Sequence, residues 1–313
     1  MKFRNKEERL LDAILDKVRE EDMILFYSQA RVKGVITAER MQSPVKHRLH
    51  AFSVGKAVTA CAVGIAEKEG LLSLDDPVID YFEEYKTYKR PMDTYGFTIR
   101  DTLKMSIGLK DALFFSTDKL RYEAKDWVDF FWNAEFDASL KGRFLYSNFD
   151  SYILSCLIER VSGQNMLEYL RYRFFEPIGI KNPDWTCCPM GHTYACNGIY
   201  LNIDEMGNLG ELLLNGGKWG DDQIVPEKFI KEATTKQIDT EGNPFGERLY
   251  HGYGYGIWMS AIPGAYVCYG SCGQFILCIP DRKLVLSFLT FEPKDHLRIL
   301  DIITEKTINY LKG

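Results

Sequence analysis

Residues 53–69, Ser-Val-Gly-Lys-Ala-Val-Thr-Ala-Cys-Ala-Val-Gly-Ile-Ala-Glu-Lys-Glu, are the most constraining stretch of this chain. The run is helix-length and apolar on nearly every side, and Gly70 is a suitable stop behind it. A helix without a polar face has to be enclosed, so the fold must supply packing partners all around it. Its apolar part, residues 57–66, is about half the ~20 residues that a membrane span needs, which makes it a core helix. The chain can build such a core: of its 313 residues, 46% are hydrophobic and 27% charged, which is ordinary globular usage. Length alone favours about two domains. A net charge of −5 with no dense Lys/Arg run argues against non-specific binding to nucleic acid or an anionic membrane.

Lys56 is out of place in this helix. Lysine is rarely buried without a partner, because stranding its charge away from water is costly. Ser53 lies three residues earlier, on the same helical face and about one turn away. A lysine held without its proton beside a serine can accept the hydroxyl proton and so activate the oxygen as a nucleophile. A satisfied core Ser/Lys pair is the competing reading. The bare Ser-x-x-Lys spacing is weak: Ser43-Pro-Val-Lys46 and Ser116-Thr-Asp-Lys119 match it equally. The first has proline beside the serine and belongs in a loop or extended segment. The second reads as a helix N-cap at Ser116 with Asp118 in the first turn. Ala51-Phe-Ser-Val-Gly55 also resembles the nucleophile elbow of α/β-hydrolases, but the required β-α-β run before the serine is missing.

Periodicity places a helix over 6–20, with Leu10, Leu11, Ile14, Leu15 and Val18 on one face, then strands at 23–27 and 32–38. The middle of the chain reads as helices at 99–106, 122–133, 149–161, 166–175 and 204–214. Strands at 256–261, 265–269, 275–279 and 284–291 follow, and an amphipathic helix over 295–312 closes the chain. The expected fold class is α/β (α+β): an antiparallel sheet flanked by the terminal helices, with a mainly helical insert. We expect a single domain over 1–313, with an α/β lobe of 1–72 and 217–313, a helical lobe of 73–216, and the ligand site in the cleft between them.

The first residues, Met-Lys-Phe-Arg-Asn-Lys-Glu-Glu-Arg, lack the apolar core of a signal peptide. The eight cysteines form no Cys-x-x-Cys pair, and most stand among apolar neighbours. Together these give the expectation of reduced, packed thiols in a cytoplasmic protein. Cys268, Cys272 and Cys278 alternate with Val, Phe and Ile and read as packing rather than as thiol nucleophiles. The five histidines form no His-Glu-x-x-His, and no metal is expected. Gly216-Gly-Lys218 lacks the preceding glycine of a P-loop and reads as a turn.

The stretch Ala51–Ala60 is followed by Glu69-Gly-Leu-Leu-Ser-Leu-Asp-Asp-Pro-Val78, Thr98-Ile-Arg-Asp-Thr-Leu-Lys-Met-Ser-Ile-Gly108 and Phe144-Leu-Tyr-Ser-Asn148. Glu176-Pro-Ile-Gly-Ile180 and Gly252-Tyr-Gly-Tyr-Gly-Ile-Trp258 come after them. This ordered set resembles the class C β-lactamase-like serine hydrolases. That superfamily includes penicillin-binding-protein-like D,D-peptidases, family VIII esterases and 6-aminohexanoate-dimer hydrolases. The resemblance implies that Ser53 is acylated and that Lys56 and Tyr146 move protons. Asn148 would bind the acyl side of the substrate, and the amides of Ser53 and Ser271 would hold the oxyanion. A second Tyr-x-Asn, Tyr200-Leu-Asn202, reads as a structural strand end.

The third motif departs from the resemblance. Relatives carry Lys-Thr-Gly or His-Thr/Ser-Gly, whereas the corresponding stretch here is Cys268-Tyr-Gly-Ser-Cys-Gly-Gln274. Gly270 is kept; the cation and the small hydroxyl are not. His192-Thr193-Tyr194 lies too far upstream and lacks the glycine. A lysine in this motif would grip the carboxylate of a β-lactam or D-Ala-D-Ala peptide by a charge-assisted hydrogen bond. His251 and Lys110 are candidates to replace it. The expected function is a serine hydrolase acting on a small ester or amide, non-standard peptides included. The alternatives are a β-lactam- or peptide-binding sensor with little turnover, and a β-lactamase or D,D-peptidase. No cofactor, nucleic acid or membrane partner is expected, and the oligomeric state is left open.

Overall fold

The computed structural model describes residues 5–86, 96–115 and 118–313. Helix α1 (Lys6–Glu20) starts at a capping box in which Asn5 Oδ1 accepts from Glu8 N at 2.7 Å and Glu8 returns a bond to Asn5 N at 2.8 Å. Its five predicted apolar residues are all buried. Strands β1 (Leu25–Val32) and β2 (Val35–Met41) follow, turning at Lys33 (φ 52°) and Gly34 (φ 79°), the two left-handed residues of a tight hairpin. The sequence reading broke the first strand after Tyr27. In fact it runs through Ser28, Gln29 and Arg31, polar residues that are buried because the sheet is covered on both faces. The short β3 (Leu49–His50) leads through a 3-10 turn at Phe52–Val54 into the central helix α2 (Gly55–Lys68), which is buried from Gly55 to Ala66 as its composition requires.

Helices α3 (Ile99–Leu103), α4 (Lys119–Glu123), α5 (Trp127–Asn133), α6 (Asn148–Ser162) and α7 (Met166–Leu170) form the next part of the chain; α6 packs on α2, α3, α5 and α7 pack on α6, and α7 continues as a π-helical turn at Arg171–Phe175. The helix read over 122–133 is two helices. Ala124 is extended, and Asp126 caps α5 by accepting from Val128 N and Asp129 N, which starts a new helix instead of extending the old one. The cap predicted at Ser116 lies outside the described residues. Strands β4 (Asp184–Trp185) and β5 (Ile199–Leu201) pair with β3 in a small second sheet. Helix α8 (Ile203–Leu214), a ribbon of β6 (Lys218–Trp219) and β7 (Asp222–Gln223), and α9 (Glu227–Ala233) return the chain to the main sheet.

Strands β8 (Trp258–Met259), β9 (Tyr266–Gly270), β10 (Gln274–Ile279) and β11 (Leu284–Thr290) complete a six-stranded antiparallel sheet, ordered β2-β1-β11-β10-β9-β8. Closing helix α10 (His296–Lys312) packs with α1. Alternate residues of β10 and β11 serve two cores. Phe275, Leu277, Leu284 and Leu286 join the terminal helices, whereas Ile276, Cys278, Val285 and Leu289 join α2, α8 and the helical region. Although the division at residue 216 groups α8 with the helices, it lies against the sheet at very short range. A Cβ on Gly210 would stand 2.5 Å from Val285 Cγ1 and 2.7 Å from Ile276 Cγ2. Gly210→Val is therefore expected to cost about 1–3 kcal/mol by overpacking and to lower the melting temperature by several degrees, read by thermal denaturation.

Candidate active site

Ala51 anchors the start of α2 by donating its N–H to Ile199 O of β5 at 2.8 Å. Phe52 then takes a left-handed conformation (φ 48°), rare for a bulky residue, and turns Ser53 to the head of the helix. One turn on, Lys56 is 2% exposed. Its Nζ lies 2.9 Å from Ser53 Oγ, 2.7 Å from Asn148 Oδ1 and 2.8 Å from Cys196 O. Three partners saturate the nitrogen. The face of the Tyr146 ring covers the same nitrogen, with its centroid 4.8 Å away. Asn148 begins α6, and its Nδ2 donates to Phe114 O at 2.9 Å, which aims its oxygen at Lys56. Thus Ser53, Lys56, Tyr146 and Asn148 come together from two separate parts of the chain.

The competing motifs go elsewhere. Lys46 bonds Glu39 and Asp204, and Lys119 merely opens α4. Tyr200 stands in β5, and Asn202 caps α8. His192 faces Glu159 at 2.9 Å. The elbow reading fails on topology: strand β1 before Ser53 lies between antiparallel neighbours rather than in a parallel β-α-β unit.

Ser53, Tyr146, Asn148 and Ser271 line one cavity of about 440 Å³, large enough for a small organic substrate. Phe52, Phe115, Phe245 and Leu297 supply its apolar wall. Among the described residues the Tyr146 hydroxyl makes no hydrogen bond. Gly270 ends β9 behind the cavity, where a Cβ would fall 2.3 Å from Ala51 O, so no other residue lets the strand come this near the serine turn. Ser271 and Cys272 form the following turn, held by Thr290 Oγ1 donating to Cys272 O at 2.6 Å and to Gly273 O at 2.8 Å. Gln274 Nε2 donates to Thr290 O at 2.8 Å, so the glutamine of this motif braces the turn. Among the described residues, backbone pairing does not occupy the amides of Ser53 and Ser271.

Neither proposed replacement for the missing cation reaches the cavity. His251 lines a separate groove with Arg248 and Asp301, and Lys110 pairs with Glu135 on the surface. The wall instead carries Arg121, Lys294, His50, His296 and Asn197, none of which the motifs marked. Only His50 had a signal, its place three residues before Ser53. His50 Nε2 accepts from Gly198 N at 2.9 Å, which fixes the neutral ring with its proton on Nδ1, and burial pushes its pKa down. His296 Nε2 bonds the Tyr269 hydroxyl. Burial pushes the Asp150 carboxyl well above the usual carboxylate range. Burial likewise raises the Cys196 thiol to about 11 and shifts those of Cys268, Cys272 and Cys278 upward, which disfavours their thiolate forms.

The family model described as Beta-lactamase matches residues 29–301. No curated protein sequence matches significantly. A beta-lactamase from Mycobacterium bovis is 20% identical with a TM-score of 0.69, over 96% of this chain and 98% of that one. The octameric penicillin-binding protein homologue from Pyrococcus abyssi is 19% identical with a TM-score of 0.72, over 97% of this chain and 77% of the other. A family VIII carboxylesterase is 15% identical with a TM-score of 0.69, over 95% and 96%. At these identities the likeness is one of fold. Among the described residues, no helix is long and apolar enough to cross a membrane.

The burial of His50 sets a pH dependence. Its pKa is lowered in the folded state, so as pH falls through the unfolded value near 6.5 the unfolded chain gains a proton that the folded chain resists. Stability from this residue is therefore present above that value and lost below it. His50→Gln keeps an acceptor for Gly198 N–H without a titrating group. Urea unfolding at pH 7.5 and 5.5 should show a smaller acid-induced loss in the variant than in the wild type.

Proposed function

The chain belongs to the beta-lactamase family, and from that premise we propose that it is a serine hydrolase cleaving a small ester or amide through a covalent acyl-enzyme at Ser53. The observation that carries this reading is the set of partners around Lys56 Nζ. Asn148 Oδ1 and Cys196 O are acceptors only, so they hold two N–H bonds in either protonation state. The Ser53 hydroxyl alone can both accept and donate. A neutral amine would keep its two N–H bonds and present its lone pair to the Ser53 proton. Loss of a proton from the lysine thus reverses one hydrogen bond and leaves the rest of the site in place.

In the proposed cycle Ser53 Oγ attacks the substrate carbonyl carbon while its proton passes to Lys56 Nζ. The carbonyl oxygen takes the displaced electron pair and is held by the amides of Ser53 and Ser271. Collapse of the tetrahedral intermediate breaks the bond to the leaving group, which receives a proton through Lys56 and the Tyr146 hydroxyl. Water then attacks the acyl carbon, its proton returns along the same route, and Ser53 is regenerated. The missing third-motif cation supports a small ester or amide over a dedicated β-lactam. It also supports the second reading, a sensor of the same fold that is acylated and stalls. The eight free thiols, six of them buried, support the cytoplasm as the compartment.

Ser53→Ala should abolish hydrolysis of 4-nitrophenyl butyrate, and Tyr146→Phe should slow it on the order of 10²–10⁴-fold, with Tyr200→Phe near wild type. Full activity in Tyr146→Phe with loss in Tyr200→Phe would reverse the assignment. Intact-mass measurement after a fluorophosphonate and after penicillin separates the readings: a Ser53 adduct without ester turnover identifies the sensor, and no adduct with either reagent excludes both. Gly270→Ala, by pushing β9 off the Ala51 carbonyl, should slow fluorophosphonate labelling on the order of 10²-fold, as an ångström of misplacement does.

A further inference from the structure

Arg121, at the cavity wall, is an anomaly of the same kind as Lys56. It is 9% exposed, yet among the described residues it has no carboxylate partner. Its Nη1 and Nη2 donate to the hydroxyls of Tyr194 and Tyr122, and its guanidinium lies over both rings, 5.3 and 4.5 Å from their centroids. Its buried Nε has no partner. A buried cation met only by neutral phenols is left without a counter-charge, an arrangement that is costly unless an anion completes it.

The structure also ties this cation to the proposed acyl-binding residue. The Tyr194 hydroxyl that receives Arg121 donates to Phe114 O at 3.2 Å, and that same carbonyl receives Asn148 Nδ2 at 2.9 Å. That carbonyl therefore sets Asn148 directly and Arg121 through Tyr194, and Arg121 and Asn148 both line the cavity. Of the remaining cations on the wall, Lys294 is exposed, where hydration weakens any single contact. We propose that Arg121 recognises an anionic group on the substrate, so that Ser53 acts on esters or amides whose acyl portion carries a carboxylate. This rests on the hydrolase reading and narrows it: the charge that the third motif no longer supplies enters from α4, on the Asn148 side of the cavity.

Ser53→Ala protein, which cannot consume an ester, is titrated calorimetrically with mono-4-nitrophenyl glutarate and with 4-nitrophenyl valerate, acyl chains of equal carbon number. The charged ester should bind on the order of ten- to a hundred-fold more tightly, the range of a hydrogen-bonded ion contact. Adding Arg121→Gln should remove most of that preference, Arg121→Lys should keep part of it, and Lys294→Gln should keep it. Equal affinity for the two esters in the Ser53→Ala protein overturns the assignment without recourse to any substitution at Arg121. Loss of the preference in Lys294→Gln with retention in Arg121→Gln overturns it as well. The premise fails separately: a wild type that hydrolyses neither ester refutes the hydrolase reading, while the titration still decides Arg121.

Discussion

The three hydrogen bonds of the buried Lys56 nitrogen are the constraint around which this structure is arranged. Ser53 comes from the head of α2, Asn148 from the head of α6, and the Cys196 carbonyl from the segment before β5. A hydrogen bond to a charged group is worth about 1.5–3 kcal/mol, so these three bonds tie the segments to one another. The neighbouring backbone fits this demand. A Cβ on Gly55 would stand 3.1 Å from Ala195 O, and one on Gly256 would stand 2.5 Å from Lys56 O. The chain thus closes tightly on the lysine at both points, and at Gly256 the approach is one that only glycine permits.

The same arrangement concentrates unfavourable backbone conformations at the site. Phe52, Phe114, Ala195 and Cys272 are all left-handed, with φ of 48°, 78°, 60° and 58°. Each adjoins a group used at the cavity: Ser53, the Phe114 carbonyl, the Cys196 carbonyl and Ser271. Such conformations cost on the order of 1–3 kcal/mol apiece and persist only where surrounding contacts outweigh them. Here those contacts are the saturated lysine, the buried α2 and the Thr290 and Gln274 bonds to the third-motif turn.

Much of this was legible in the sequence, for physical reasons that also mark its limits. The all-round apolarity of α2 made Lys56 conspicuous, and the ordered motifs selected Tyr146 over Tyr200; that Gly270 is kept was legible, but not the close approach to Ala51 O that requires it. Elements failed where one local rule overrode periodicity: Asp126 restarted a helix, and buried Ser28, Gln29 and Arg31 hid the continuation of β1. Site groups failed for a different reason. The Cys196 acceptor is a backbone carbonyl, which no residue identity announces. Arg121 lies 65 residues beyond Lys56 in a five-residue helix, and only folding reveals that it is buried without a carboxylate.

Acylation and substrate recognition are separable in this architecture. The groups proposed to stabilise the oxyanion are backbone amides, and the closeness of β9 to the serine turn depends on Gly270 and on the Gln274–Thr290 brace. None of these depends on a lysine or a hydroxyl in the third motif. That motif is therefore free to lose its cation without moving the nucleophile. Charge recognition, in contrast, needs only a cation at the cavity wall and a counter-charge missing from the protein. A wall segment that is tied to Asn148, the proposed acyl-binding residue, through a shared carbonyl meets this requirement, as α4 does through Tyr194 and Phe114. In the proposed reading, then, the oxyanion side of the site rests on backbone groups and the charge on a single side chain.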